Sequence, residues 1–111
     1  MRTLRFTVND QIVDKDHNCD FSGLVPGTKG YLEAEFAFSP EWKDTVRIAE
    51  FYSSMGRELP CRILRDGYLC DIPEEAVKRR TFKIRVIGMK KSGAILTTNK
   101  VVVSQNGGRE E

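Results

Sequence analysis

The sequence has no long apolar run. Its longest uninterrupted hydrophobic stretches, such as Val101-Val102-Val103, are three or four residues, against the roughly 20 that cross a bilayer as a helix. Its opening, Met1-Arg2-Thr3-Leu4-Arg5, alternates and is charged. Without an apolar h-region no signal peptide is expected, and synthesis and folding in the cytosol follow as the default. Cysteine is sparse and unpatterned: Cys19, Cys61 and Cys70 form no Cys-x-x-Cys pair. In a cytosolic chain they read as small buried hydrophobes, with Cys61 and Cys70 flanking a predicted turn where a disulfide would be incidental. An excess of one charge is missing too. The 18 basic and 16 acidic residues leave a net charge of +2, which supports solubility and singles out no partner.

Histidine and tryptophan each occur once. A Ser–His or Cys–His enzyme would depend wholly on His17, and nothing singles out a nucleophile to converge with it. The segment Asp14-Lys15-Asp16-His17-Asn18-Cys19-Asp20 alternates acids like the start of a calcium loop. Its sixth position is Cys19 where glycine is needed, and its twelfth is Val25 where a bidentate glutamate is needed. Zinc would need a second ligand pair beside His17 and Cys19. No glycine-rich phosphate cradle is present, and Glu33 and Glu35 fall on a solvent-facing strand phase, where they need no catalytic role. The expectation is a non-enzyme without metal or cofactor.

What is present is strand patterning. In Thr3-Leu4-Arg5-Phe6-Thr7-Val8 the apolar residues share one face, and Asn9-Asp10 is a turn before a short return strand. Residues 14–30 lose the period and read as a long loop. Residues 31–38 alternate again, with Leu32, Ala34, Phe36 and Phe38 inward. Ser39-Pro40-Glu41 ends that strand and delivers Trp42, which by bulk reads as a core plug. Residues 45–52 are rich in β formers but change phase: Val46 and Ile48 share one parity, Ala49 and Phe51 the other. A bulge or burial on both faces would account for that. Residues 59–64 and 68–72 read as a hairpin around Arg65-Asp66-Gly67. Pro73, Glu74 and Glu75 begin a short helix near residues 73–79, with Lys78, Arg79 and Arg80 as its favourable basic end. Residues 82–86 and 94–104 close the structure.

Strands at intervals of about 8–12 residues with one minor helix predict an all-β sandwich or small barrel. A single domain over residues 2–104 is expected, followed by a flexible polar tail over 105–111. Leu4, Phe6, Leu32, Phe36, Phe38, Phe82, Ile84 and Val86 are its expected core. The local basic run of Lys78, Arg79 and Arg80, with Lys83 and Arg85 beyond it, lacks the wide basic face with aromatics that a nucleic-acid surface needs.

The order of these features resembles the small N-terminal immunoglobulin-like modules of tail and baseplate proteins from phages and prophages of Gram-positive bacteria. The resemblance is carried by Leu4-Arg5-Phe6-Thr7-Val8-Asn9, by Leu32-Glu33-Ala34-Glu35-Phe36-Ala37-Phe38-Ser39 with Trp42 close behind, and by Ile48-Ala49-Glu50-Phe51. Cys70-Asp71-Ile72-Pro73-Glu74-Glu75, the strand Phe82-Lys83-Ile84-Arg85-Val86-Ile87-Gly88 and Leu96-Thr97-Thr98-Asn99-Lys100-Val101-Val102-Val103 complete it. It spans about residues 3–104, and the loop at 14–30 is longer than the family norm. It implies an immunoglobulin-like antiparallel β-sandwich of about seven or eight strands. It also implies a virion structural part, made in the host bacterial cytoplasm, that docks without catalysis onto other tail or baseplate proteins and acts as a homo-oligomer. Neither membrane nor nucleic acid is expected as a partner. Tyr31 and Tyr52, which alternation places away from the main apolar faces, and Lys78, Arg79 and Arg80 are the candidate contact residues. A carbohydrate- or cell-surface-binding sandwich is the alternative, with Tyr31, Tyr52 and Trp42 as its aromatics.

Overall fold

The alternation at residues 2–9 becomes strand β1 (Arg2–Asn9), and a two-residue turn at Asp10 and Gln11 sends β2 (Ile12–Lys15) back along it. Asp10 takes a positive φ of 52° there. The structure is a computed structural model that describes residues 1–107. The long loop after β2 then returns the chain to the end where β1 began. With one side of β1 already taken by β2, β3 (Leu32–Phe38) joins the other side and runs parallel to β1, Arg2 beside Leu32 and Val8 beside Phe38. The expected antiparallel sandwich forms apart from this pair, which is parallel. Side-chain alternation reports which face is buried but not strand direction.

A single 3-10 turn, Pro40–Trp42, leads to β4 (Val46–Ser53). β5 (Arg62–Ile63) pairs with β4, whereas β6 (Leu69–Asp71) pairs with β3. The turn between them forms as the Asp-Gly pair demands, with Asp66 and Gly67 at φ 53° and 83° and Tyr68 N–H bonded to Arg65 O at 3.1 Å. The hairpin around it does not form. Beyond the one bridge between Arg65 and Leu69 the flanking segments part, and the turn carries the chain from one sheet to the other.

Helix α1 (Glu74–Val77) is one turn, shorter than 73–79. Pro73 stands before it as the cap and Lys78 just past it, so the basic run follows the helix instead of closing it. β7 (Thr81–Met89) pairs with β4, and its other side takes both β8 (Ile95–Thr97) and β9 (Val101–Ser104). Between them, Arg85 and Val86 of β7 face three residues, Thr98, Asn99 and Lys100. That is a bulge. Thr98 fills the gap: its Oγ1 accepts Val86 N–H at 3.0 Å in place of a backbone carbonyl.

Among the described residues the result is nine strands in two sheets, β2-β1-β3-β6 against β5-β4-β7 with β8 and β9. They pack as an all-β sandwich with one short helix. The inward phases of β1, β3, β4 and β7 fill the core, where Phe6 stacks on Phe36 at 5.3 Å between ring centroids. Of the expected core only Phe38 is half-exposed, with the Arg47 guanidinium 4.1 Å above its ring. Trp42 is fully buried. Its indole closes on Gly88, where an added Cβ would come within 2.6 Å of the ring.

The long loop adds Leu24 and Phe21 to the core. At that end Arg2 donates to the carbonyls of Ser22 and Asp20, Lys29 pairs with Glu74, and Asn106 N–H bonds Leu24 O at 2.8 Å. The expected tail is corrected at its start. Gln105 is buried, and its amide donates to the carbonyls of Val77 and Arg79, which the end of α1 leaves open. Residues 108–111 of that tail lie outside the described residues. The cysteines are free: Cys70 is buried, Cys19 half-buried and Cys61 exposed, so burial accounts for one fully and for Cys61 not at all.

Candidate functional site

The phase change in β4 has a different cause from a bulge. Pairing with β7 runs unbroken from Val46 opposite Met89 to Ser53 opposite Phe82. Ala49 and Phe51 point into the core, as do Phe82, Ile84 and Val86 opposite. Val46, Ile48, Glu50 and Tyr52 therefore face outward together with Ile87, Met89, Arg85 and Lys83. Apolar residues sit on the outside of this sheet.

They form two adjoining cross-strand rows. One is Val46, Met89 and Ile95; the next is Ile63, Ile48, Ile87 and Thr97. Val46, Ile63, Met89 and Ile95 are 65%, 70%, 53% and 61% exposed. Scattered exposed hydrophobes are ordinary; here they stand together as a contiguous outward row on one sheet face.

The other half of the face is ionic. Arg85 Nε and Tyr52 Oη both donate to Glu50 Oε1, at 2.6 and 2.7 Å. Lys100 Nζ lies 3.8 Å from the Tyr52 ring centroid and the Arg85 guanidinium 5.4 Å from it. Tyr52 is thus roofed by two cations and only 4% exposed. Burial first, then donation to the Glu50 carboxylate, pushes its phenol up to about 12. Burial alone would raise Glu50. The hydrogen bonds from Tyr52 and Arg85 and the charges of Arg85 and Lys100 outweigh it and hold the carboxyl below its usual value.

The candidate contact residues fall in different places. Tyr52 is a correction, since its ring is covered by its own neighbours. Tyr31 is 47% exposed at the head of β3, beside a cavity of about 230 Å³ with Arg2, Val25 and Thr28. Lys78 and Arg80 are exposed and Arg79 half-buried after α1, at the same end as Tyr31. Arg79 Nε bonds the Glu75 carbonyl. Lys83 and Arg85 belong to the outer face of β7 instead, so the basic run does not continue as one patch.

The aspartates around His17 are spent locally. Asp14 Oδ1 accepts Lys15 N–H, Asp16 Oδ1 accepts Asn18 N–H, and Asp20 Oδ1 accepts both N–H and O–H of Ser22. Their alternation is that of turn-making side chains. Among the described residues no group of three or more His, Cys, Asp or Glu could hold a metal, and no helix is long and apolar enough to cross a membrane. At the opposite end from Tyr31, a cleft of about 380 Å³ runs between Pro40, Lys43, Arg47 and Tyr68. Arg47 is committed there to neighbouring backbone and hydroxyl groups: it donates to Thr45 Oγ1, Gly67 O and Trp42 O at 2.7–2.9 Å.

No protein-family model matches the chain, and no curated protein or solved structure matches it significantly. The apolar half of the outer face, missed at the sequence level, was signalled there only by the parity of Val46 and Ile48 against Ala49 and Phe51.

Proposed function

We propose that the chain is a non-catalytic structural module of a phage or prophage tail or baseplate, made in the host bacterial cytoplasm and built into the virion. The observation that carries the docking part is the exposed apolar row of Val46, Met89 and Ile95 on the outer face of β4, β7 and β8, backed by the half-buried Ile48 and Ile87 with the exposed Ile63. An apolar surface on a rigid sheet binds through area and shape, and reacting groups are not needed for that. The tail or baseplate assignment is supported by the ordered resemblance over residues 3–104. The alternative, a carbohydrate- or cell-surface-binding sandwich, keeps Tyr31 alone of its three aromatics, because Trp42 and Tyr52 are buried.

Mass spectrometry of purified induced particles tests the assignment, together with capture of identified tail and baseplate proteins on the immobilised chain. The expected result is the chain in particles and capture of a tail or baseplate protein that falls at least tenfold on Ile95→Lys, a loss of about 1.4 kcal/mol. Absence from particles with no tail protein bound would sink the reading.

A further inference from the structure

The outer face of the five-stranded sheet complements itself. We infer that its occupant is a second copy of this chain, packed face to face about a two-fold axis that runs along the strands between β4 and β7. The inference rests on reading this face as a docking surface and adds the partner and the geometry.

A two-fold axis lying between the copies and parallel to the strands preserves height along them and exchanges left for right. β4 of one copy then lies over β7 of the other. Cross-strand partners share a height, so each residue meets the second copy's version of its own partner. Val46 lies over the second copy's Met89, Ile48 over its Ile87 and Glu50 over its Arg85, and each contact occurs twice, as an isologous interface requires. Apolar rows meet apolar rows, and each carboxylate meets a guanidinium. An axis across the strands would reverse the rows and seat Val46 and Ile48 on Tyr52 and Glu50, burying charge against hydrocarbon. The pattern therefore selects one axis.

The face is that of a weak pairing. β4 is eight residues long and β7 nine, β8 and β9 together flank the other side of β7, and β5 adds two residues beside β4. Three strand widths of about 27 by about 14 Å, from about 3.4 Å per residue and about 4.8 Å between strands, with the short β5 beside them, give about 400 Å² a copy. Two such faces bury about 800 Å², the scale of a transient contact that forms at high protein concentration.

Sedimentation equilibrium from about 1 µM to about 1 mM tests the pairing on the full chain and on Met89→Lys, a change at an exposed position. A second readout uses Val46→Cys in a Cys61→Ser background with a bismaleimide spanning about 8 Å. The axis along the strands sets the two copies' positions 46 about 11 Å apart, one strand spacing sideways across packed sheets, whereas an axis across the strands sets them about 23 Å apart. The expected results are a monomer–dimer equilibrium that Met89→Lys weakens at least tenfold, and cross-linking of Val46→Cys well above that of Cys61→Ser alone. A monomer throughout, a dimer indifferent to Met89→Lys, or cross-linking no better than in Cys61→Ser alone would overturn it. A monomeric chain that still captures a tail protein through this face overturns the self-pairing and spares the docking proposal. A dimer with the predicted cross-link that is absent from particles and binds no tail protein does the reverse.

Discussion

The side-chain amide of Asn99 pairs with both backbone groups of Val13: Oδ1 accepts Val13 N–H at 2.7 Å and Nδ2 donates to Val13 O at 3.2 Å. Asn99 stands in the bulge between β8 and β9, and Val13 is on β2, the edge strand of the other sheet. An amide has the same donor and acceptor as a peptide unit, so Asn99 completes the edge of β2 as one further strand residue would. Gln11 Nε2 to Thr97 O and Asn99 N–H to Gln11 O, both 3.2 Å, continue the seam.

Asn99→Ala should cost about 1–3 kcal/mol, since it leaves the half-buried Val13 N–H and C=O without their partner. It also opens the β2 edge to pairing with other chains. Urea denaturation should give a lower midpoint, and light scattering on warming should show earlier aggregation. An unchanged midpoint would mean that water replaces the amide at no cost.

Gly88→Ala should destabilise by about 1–3 kcal/mol through overpacking, because the new methyl would stand 2.6 Å from the Trp42 ring. Trp42→Phe shortens the ring system at that point. A double-mutant cycle should therefore show Gly88→Ala costing less in the Trp42→Phe background, with coupling of at least about 0.5 kcal/mol. Additive losses would contradict the contact.

Arg47→Lys keeps the charge but loses the planar fork that reaches Thr45, Gly67 and Trp42 at once. A loss of about 1–3 kcal/mol is expected for the abandoned part-buried acceptors, read as a lower thermal midpoint. Full retention of stability would show that one ammonium serves all three.

Stability should fall in alkali. Burial pushes the Cys70 thiol from 9.0 to about 12, and burial with the Glu50 contact pushes the Tyr52 phenol from 10.0 to about 12. Both groups hold their protons more tightly folded than unfolded, so unfolding releases protons there and stability declines with rising pH. Their contribution is intact below about pH 9, is lost progressively to about pH 12, and then levels off. Denaturant midpoints measured across that window should drop for the wild type and drop less for Tyr52→Phe with Cys70→Ala. Parallel pH profiles would refute the assignment.

Much of the sandwich was legible where one face of a strand is apolar and the other polar. Leu4, Phe6, Leu32, Phe36 and Ile84 all lie where alternation puts them, and bulk alone placed Trp42. Three features were not legible for physical reasons. Strand direction leaves no trace in side-chain phase, so the parallel seating of β1 on β3 was hidden. The Asp66-Gly67 turn dictates a reversal but not which sheet each arm joins. In β4 both faces carry apolar residues, so period alone could not tell Ala49 and Phe51, which are core, from Val46 and Ile48, which face outward. Tyr52 lies on the outer face as alternation puts it, but its cover comes from Lys100 and Arg85 on neighbouring segments; Gln105 was misread because its amide finds carbonyls 26 and 28 residues earlier.

Arg2, at the head of β1, and Asn106, beyond β9, both bond into the loop that carries Asp20, Ser22 and Leu24. The chain therefore enters and leaves the sandwich side by side, at the end away from Trp42. Such a unit can be spliced into a loop of a host protein, or circularly permuted with a short linker, without stretching its sheets. A partner fused at that end therefore joins the body at a loop end, away from the outer face of β4 and β7.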